Sequence, residues 1–233
     1  LPIYVLFADI FFEDYAMLAA FSLYVIGVVL AILIALLSNR IFKGKSSNSL
    51  LIELPEYKSP NARTIAVYVW EKVKDYLSKA GTTIFIASIV IWFVLNFGTT
   101  GMVSDISMSF GASIGRFLVP VLAPAGLGLW QIGVALISGL SAKEVVVSSF
   151  AVLFGISNVN SAAGMMQMSE ALGAYGFGPL NAYALMIFCL LYTPCMATIA
   201  TIRKETNSTR WTIGMVIFQL LIAWIGAVLV YQI

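Results

Sequence analysis

The chain has 233 residues, of which 61% are hydrophobic and only 10% charged, with a net charge of +2. A soluble domain usually carries about 25% charged residues, so this composition marks an integral membrane protein and leaves no basic excess for nucleic acid. The absence of histidine excludes a histidine-based metal site or proton relay.

The sequence starts at Leu1 in mid-theme and reads as a piece of a longer chain, with no signal peptide visible. Leu1 to Phe12 is apolar and aromatic and looks like the end of an element. Asp9, Glu13 and Asp14 form an acidic edge, taken as the outer rim. Tyr15 to Ser38 is long and apolar enough to predict a membrane helix.

Asn39 to Lys79 holds Arg40, Lys43, Lys45, Lys58, Arg63, Lys72, Lys74 and Lys79, eight of the thirteen basic residues. The positive-inside rule therefore places it in the cytoplasm. Pro55 and Pro60 mark an extended linker. Gly44-Lys45-Ser46 superficially suggests a phosphate loop, but Asn39 stands where its first glycine belongs and a membrane helix precedes it, so no nucleotide site is expected. From Ala62 to Lys79, apolar Ile65, Val69, Val73, Tyr76 and Leu77 oppose charges. This predicts an amphipathic helix lying in the membrane interface, anchored by Tyr68 and Trp70. Gly81 to Phe97 is the next predicted span.

Phe110 to Ala125 carries Arg116, Pro120 and Pro124 in a run too short and interrupted for an ordinary span. It reads either as an external amphipathic loop or as a discontinuous segment of the kind that builds transporter sites. If it crosses, the turn at 203–210 is cytoplasmic; if it re-enters, that turn is external, and its basic residues favour crossing.

Trp130 to Phe154 predicts a span with Ser141-Ala142-Lys143-Glu144 near its middle. A charge at membrane depth costs at least about 2.5–3.5 kcal/mol, so Lys143 and Glu144 require a cavity or partners. On a continuous helix Ser138, Ser141, Glu144 and Ser148 share a face. Lys143 projects about 100° away and needs another partner, such as unpaired carbonyls. The plainer alternative is an interfacial segment whose Lys–Glu pair snorkels. Gly155 to Gly178 reads as a small-residue loop whose sole charge is Glu170.

In Pro179 to Ile202, Pro194 removes a helical hydrogen bond, so the helix should kink or unwind near Tyr192 and Thr193, freeing carbonyls beside Cys195. A structural kink with an inert cysteine is the competing reading. Cys189 and Cys195 point about 240° apart on a helix and form neither a disulfide nor a zinc spacing. Trp211 to Gln232 is the last predicted span.

Leu190-Leu191-Tyr192-Thr193-Pro194-Cys195, Ser141-Ala142-Lys143-Glu144-Val145-Val146-Val147, Glu53-Leu54-Pro55-Glu56-Tyr57 and Trp70-Glu71-Lys72-Val73-Lys74 resemble the C-terminal membrane region of FeoB, the bacterial ferrous-iron transporter family. Leu1-Pro2-Ile3-Tyr4-Val5-Leu6-Phe7 also resembles it, although there it follows a cysteine-containing motif that this sequence lacks. The match runs in order over nearly the whole chain. It implies an all-α polytopic bundle with broken or re-entrant helices, half of an inverted-repeat, nucleoside-carrier-like gate fold. Residues 1–39 would end a preceding element and form one membrane helix, 40–79 the linker and interfacial helix, and 80–233 the second gate unit.

The resemblance further implies a non-enzymatic, multi-pass permeation domain in the bacterial inner membrane. It would be completed by a first gate unit and an N-terminal GTP-binding domain, with membrane lipid, a homo-oligomer and small cytoplasmic accessory proteins as other expected partners. Nucleic acid is not among them. The transported substrate is then Fe²⁺. A thiolate and a carboxylate near freed carbonyls suit a borderline divalent metal better than Mg²⁺ or Ca²⁺, but equally allow Mn²⁺, Zn²⁺ or Co²⁺. The family motifs assign Cys195 and Glu144 as ligands. Tyr192, Thr193 and Ser141 are proposed from position, with Lys143 and Pro194 on the path. Two other classes compete. A carrier for nucleosides or similar solutes should line its broken helices with amides, yet Gln131 and Asn181 lie near helix ends. A receptor or scaffold has no use for charges inside a span.

Overall fold

The computed structural model describes residues 2–41, 59–99, 101–103, 105–193 and 195–233. Its architecture is nearly all-α, as composition and periodicity require. In chain order the helices are α1 (Pro2–Phe12), α2 (Ala16–Ile41), α3 (Ala62–Asn96), α4 (Phe110–Leu122), α5 (Trp130–Ser138), α6 (Val145–Leu153), α7 (Ala162–Gly173), α8 (Pro179–Leu191), α9 (Met196–Thr206) and α10 (Thr209–Gln232). A two-residue antiparallel ladder pairs Phe97 with Met102 and Gly98 with Gly101. Among the described residues, three runs are long and apolar enough to cross a membrane: Pro2–Arg40, Pro179–Thr206 and Thr209–Gln232. The pair Phe110–Ala125 and Trp130–Ser138, bent by 104°, adds a fourth if it is one broken span. The chain is thus a multi-pass membrane protein.

α8 is the central post. Ala182 and every residue from Ala184 to Cys189 are buried, and the helix packs against α10, α1 and α2. Gly226 of α10 meets it closely, facing Ile187 and Leu191. α1 is core rather than edge: Phe7 is fully buried and sits edge-on to Phe150 of α6 and to Phe177. By contrast α2 and α10 keep most of their apolar side chains exposed, as helices facing lipid must. The bend between α4 and α5 brings the two helices together at Gly115 and Gly133, where a side chain on either would strike the other's backbone. α10 holds the bend from outside. Trp224 Nε1 donates to the Val121 carbonyl at 2.7 Å and Gln232 Nε2 to that of Pro124 at 3.0 Å.

Several expectations need correction. Trp130–Phe154 is not one helix: it stops at Ser138 and restarts at Val145, so Ser138, Ser141, Glu144 and Ser148 do not share a continuous helical stripe. The run Ser138-Gly139-Leu140-Ser141 is poor in helix formers, and Ser141 Oγ bonds back to the Ser138 carbonyl at 2.8 Å, closing a turn instead. Glu144 is exposed at the N-terminal boundary of α6, not buried within a span.

The interfacial helix and the following span are one unbroken 35-residue helix, α3. Gly81 costs only about 1 kcal/mol within a helix, too little to stop one of this length. At about 52 Å the helix exceeds the bilayer core, so it cannot lie flat up to Lys79 and then turn inward. The loop expected over 155–178 contains α7, whose start is capped by Ser161 Oγ accepting from the Gly164 amide at 3.1 Å and whose Met168 and Leu172 are buried. Gly44-Lys45-Ser46 and Lys58 lie outside the described residues.

Candidate functional site

The expected break in the 179–202 segment is present. α8 ends at Leu191 and α9 begins at Met196; Pro194 itself lies outside the described residues. Its counterpart, the break at 139–144 between α5 and α6, was legible only as a polar spot. The two breaks meet. The Met196 amide, first of α9, donates to the Leu140 carbonyl at 2.8 Å, stitching one interruption to the other.

Lys143 makes the second stitch. Its Nζ donates to the Cys189 carbonyl at 3.0 Å and to the Tyr192 carbonyl at 3.5 Å, and stands 4.8 Å from the centre of the Tyr192 ring. The last turn of a helix carries unpaired carbonyls and a partial negative charge, which a cation neutralises. The freed carbonyls therefore have a partner in Lys143, the side chain for which the sequence suggested unpaired carbonyls. Tyr192 in turn reaches back to the first break, its hydroxyl against the face of Gly139, where a methyl group would collide with it and with Val146.

The remaining candidates fall around this junction with different degrees of burial. Thr193 is 1% exposed and Tyr192 4%, and neither hydroxyl has a hydrogen-bond partner among the described residues. Buried polar atoms are nearly always paired, so two such orphans side by side are unusual. Ser141 is buried too, but its hydroxyl is satisfied by Ser138. Cys195 is half-buried at the start of α9, with Sγ 3.5 Å from Thr198 Oγ1. Cys195 and Glu144 both lie within electrostatic reach of the Lys143 ammonium. Among the described residues, no three Cys, Asp or Glu side chains gather as a metal cluster.

Gln131 is a residue that sequence reasoning set aside as lying near a helix end. It is 5% exposed in the first turn of α5 and its amide oxygen has no partner among the described residues. An amide at the start of the mostly apolar run Trp130–Ile137 was the available signal. Asn181, the other amide, is structural. Its Oδ1 accepts from the Gly178 amide at 3.1 Å and its Nδ2 donates to the Gly126 carbonyl at 2.7 Å, fixing the start of α8 to the α4–α5 bend.

Comparison with known proteins gives this geometry a context. Residues 77–209 match the family model described as Gate, nucleoside recognition, and residues 20–72 match that described as ferrous iron transport protein B C terminus. The chain is 39% identical over 233 residues to an Fe(2+) transporter FeoB of Staphylococcus aureus, covering all of this chain and 34% of that protein. It is 36% identical over 238 residues to an Fe(2+) transporter FeoB of Methanocaldococcus jannaschii, again covering 34% of the relative. A Porphyromonas gingivalis protein described as an Fe(2+) transport protein A/Fe(2+) transporter FeoB fusion is 33% identical over 274 residues. The chain thus spans about a third of the length of the curated relatives it matches. No solved structure matches. With the gate model covering more than half of its residues, and the FeoB C-terminal model most of what precedes, the chain belongs to the gate family and corresponds to the C-terminal membrane region of the FeoB transporters.

Proposed function

We propose that this chain is the permeation domain of a ferrous-iron uptake transporter and that Fe²⁺ passes the junction of the two helix breaks. The observation that carries the reading is the pairing of the interruptions at 139–144 and 192–195 within the helix bundle. Irregular backbone at membrane depth is tolerated only where it is buried in protein or lines a cavity, and half-helix ends that present carbonyls are how membrane proteins hold cations. The relatives bearing the description Fe(2+) transporter supply the identity of the ion.

Cys195 is the soft ligand, binding as thiolate once the metal displaces its proton. Glu144 is the charged ligand; its exposure leaves it open to a cation arriving at the junction. Tyr192 and Thr193 contribute hydroxyls, Ser141 is a further oxygen at the first break, and Pro194 belongs to the path. A site of two or three protein ligands plus water releases its ion more readily than a closed four-ligand cage, as transport demands. The rest of the full-length protein supplies a first gate unit and an N-terminal GTP-binding domain. The location is the bacterial inner membrane, where a homo-oligomer and small cytoplasmic accessory proteins complete the system.

The gate description also names nucleosides, and the unpaired amide oxygen of Gln131 favours that second reading. One experiment separates them. In the full-length protein, Cys195→Ser and Glu144→Gln should each reduce Fe²⁺ uptake at least ten-fold while expression and GTP hydrolysis persist, and Gln131→Leu should leave iron uptake within two-fold of normal. Near-normal iron uptake in both ligand variants, or nucleoside uptake abolished by Gln131→Leu, would overturn the assignment.

A further inference from the structure

The Lys143 ammonium sits where a free cation would sit. Two carbonyl oxygens at the end of α8 face it, at 3.0 and 3.5 Å, and the Tyr192 ring closes a third side at 4.8 Å. Carbonyl oxygens at a helix C-terminus are hard, partly negative donors, and an aromatic face attracts the same charge. Capping alone does not require an ammonium: a serine or asparagine would satisfy a carbonyl without bringing a full charge to membrane depth. The lysine also comes from the other break, so its hold on α8 ties the two interruptions together. Cys189, Cys195 and Glu144 lie near enough to act electrostatically on it, and would act on an ion at this place as well.

We infer that the Cys189 and Tyr192 carbonyls form a cation site and that Lys143 is its tethered occupant, which must leave before a divalent cation can take those oxygens. Ammonium and metal exclude one another by both space and charge. Lys143 therefore acts as a competitor built into the chain, keeping the site filled until an ion, or a movement of the α5–α6 break, displaces it.

This inference rests on the permeation reading but is measured separately from it. The probe is Mn²⁺, an air-stable divalent ion, in equilibrium dialysis against the purified full-length protein in detergent. Lys143→Met and Lys143→Gln should bind Mn²⁺ at least ten-fold more tightly than wild type, and Lys143→Arg should bind it no more tightly. If the methionine variant does not fold, the glutamine variant, which keeps an N–H donor for the Cys189 carbonyl, carries the measurement. Unchanged Mn²⁺ affinity in the neutral variants, or an equal gain in the arginine variant, would overturn the inference. Collapse of both neutral variants beside a stable arginine variant would do so too, because the ammonium would then be structural support. Failure of wild-type vesicles to take up Fe²⁺ would instead overturn the permeation reading, leaving the Mn²⁺ result to decide the lysine's role.

Discussion

The two helix breaks solve the same problem in different ways. The first, between α5 and α6, pairs most of its groups within itself, while its Leu140 carbonyl accepts from the Met196 amide of the other break. Leu140 and Ser141 amides bond back to Ile137 and Ser138, Val145 and Val146 amides to Ala142 and Lys143, and the Ser141 hydroxyl returns to Ser138. The second, between α8 and α9, carries a proline in its sequence and leans on the first. Its carbonyls at Cys189 and Tyr192 are served by a side chain from the other break, and its Tyr192 and Thr193 hydroxyls have no partner among the described residues. An unpaired buried polar group costs roughly 1–3 kcal/mol, so the second break carries a burden that the first does not.

The contrast breaks most readily where the two meet. Gly139→Leu places a side chain against the Tyr192 hydroxyl and Val146 and should destabilise the protein by about 3 kcal/mol, within reach of the cost of severe overpacking. Thermal aggregation followed by size exclusion reads the loss; a wild-type melting profile would mean the breaks do not touch as described. Thr193→Val tests the unsatisfied break. Removing an orphan hydroxyl should leave stability unchanged or raise it by about 1 kcal/mol, yet lower Fe²⁺ uptake several-fold. Full uptake would remove Thr193 from the path. Ser141→Ala tests the self-satisfied break and should do least. It forfeits one hydrogen bond, costing about 1 kcal/mol or less, with iron uptake in vesicles retained within two-fold. An uptake loss matching that of Thr193→Val would erase the distinction between the breaks.

Much of the site was legible before the fold was known, but unevenly. A proline in an apolar run announces its own break because its ring and missing amide act locally. The lysine's need for carbonyls was legible as well, since a charge at membrane depth demands a partner. The exposure of Glu144 was not. Its burial was inferred from a continuous helix, and whether Ser138-Gly139-Leu140-Ser141 continues a helix or turns depends on what its neighbours offer. Here Tyr192 needs the open face of Gly139 and Lys143 needs the end of α8. The unbroken α3 teaches the same lesson in reverse: a change from charged to apolar composition at Lys79 and Gly81 marked an environment, not an end of the helix.

The sequence by itself determined the membrane class, the spans at α2 and α10, the break before Cys195 and the family, because these follow from hydropathy, proline chemistry and residue order. Only the tertiary structure decided that the two breaks lie together, that Lys143 serves the end of α8, and that the Tyr192 and Thr193 hydroxyls lack partners among the described residues. The Lys143–Cys189 contact spans 46 residues and depends on how α5, α6 and α8 pack. No local pattern encodes such a contact, since the energy that forms it belongs to neither segment alone.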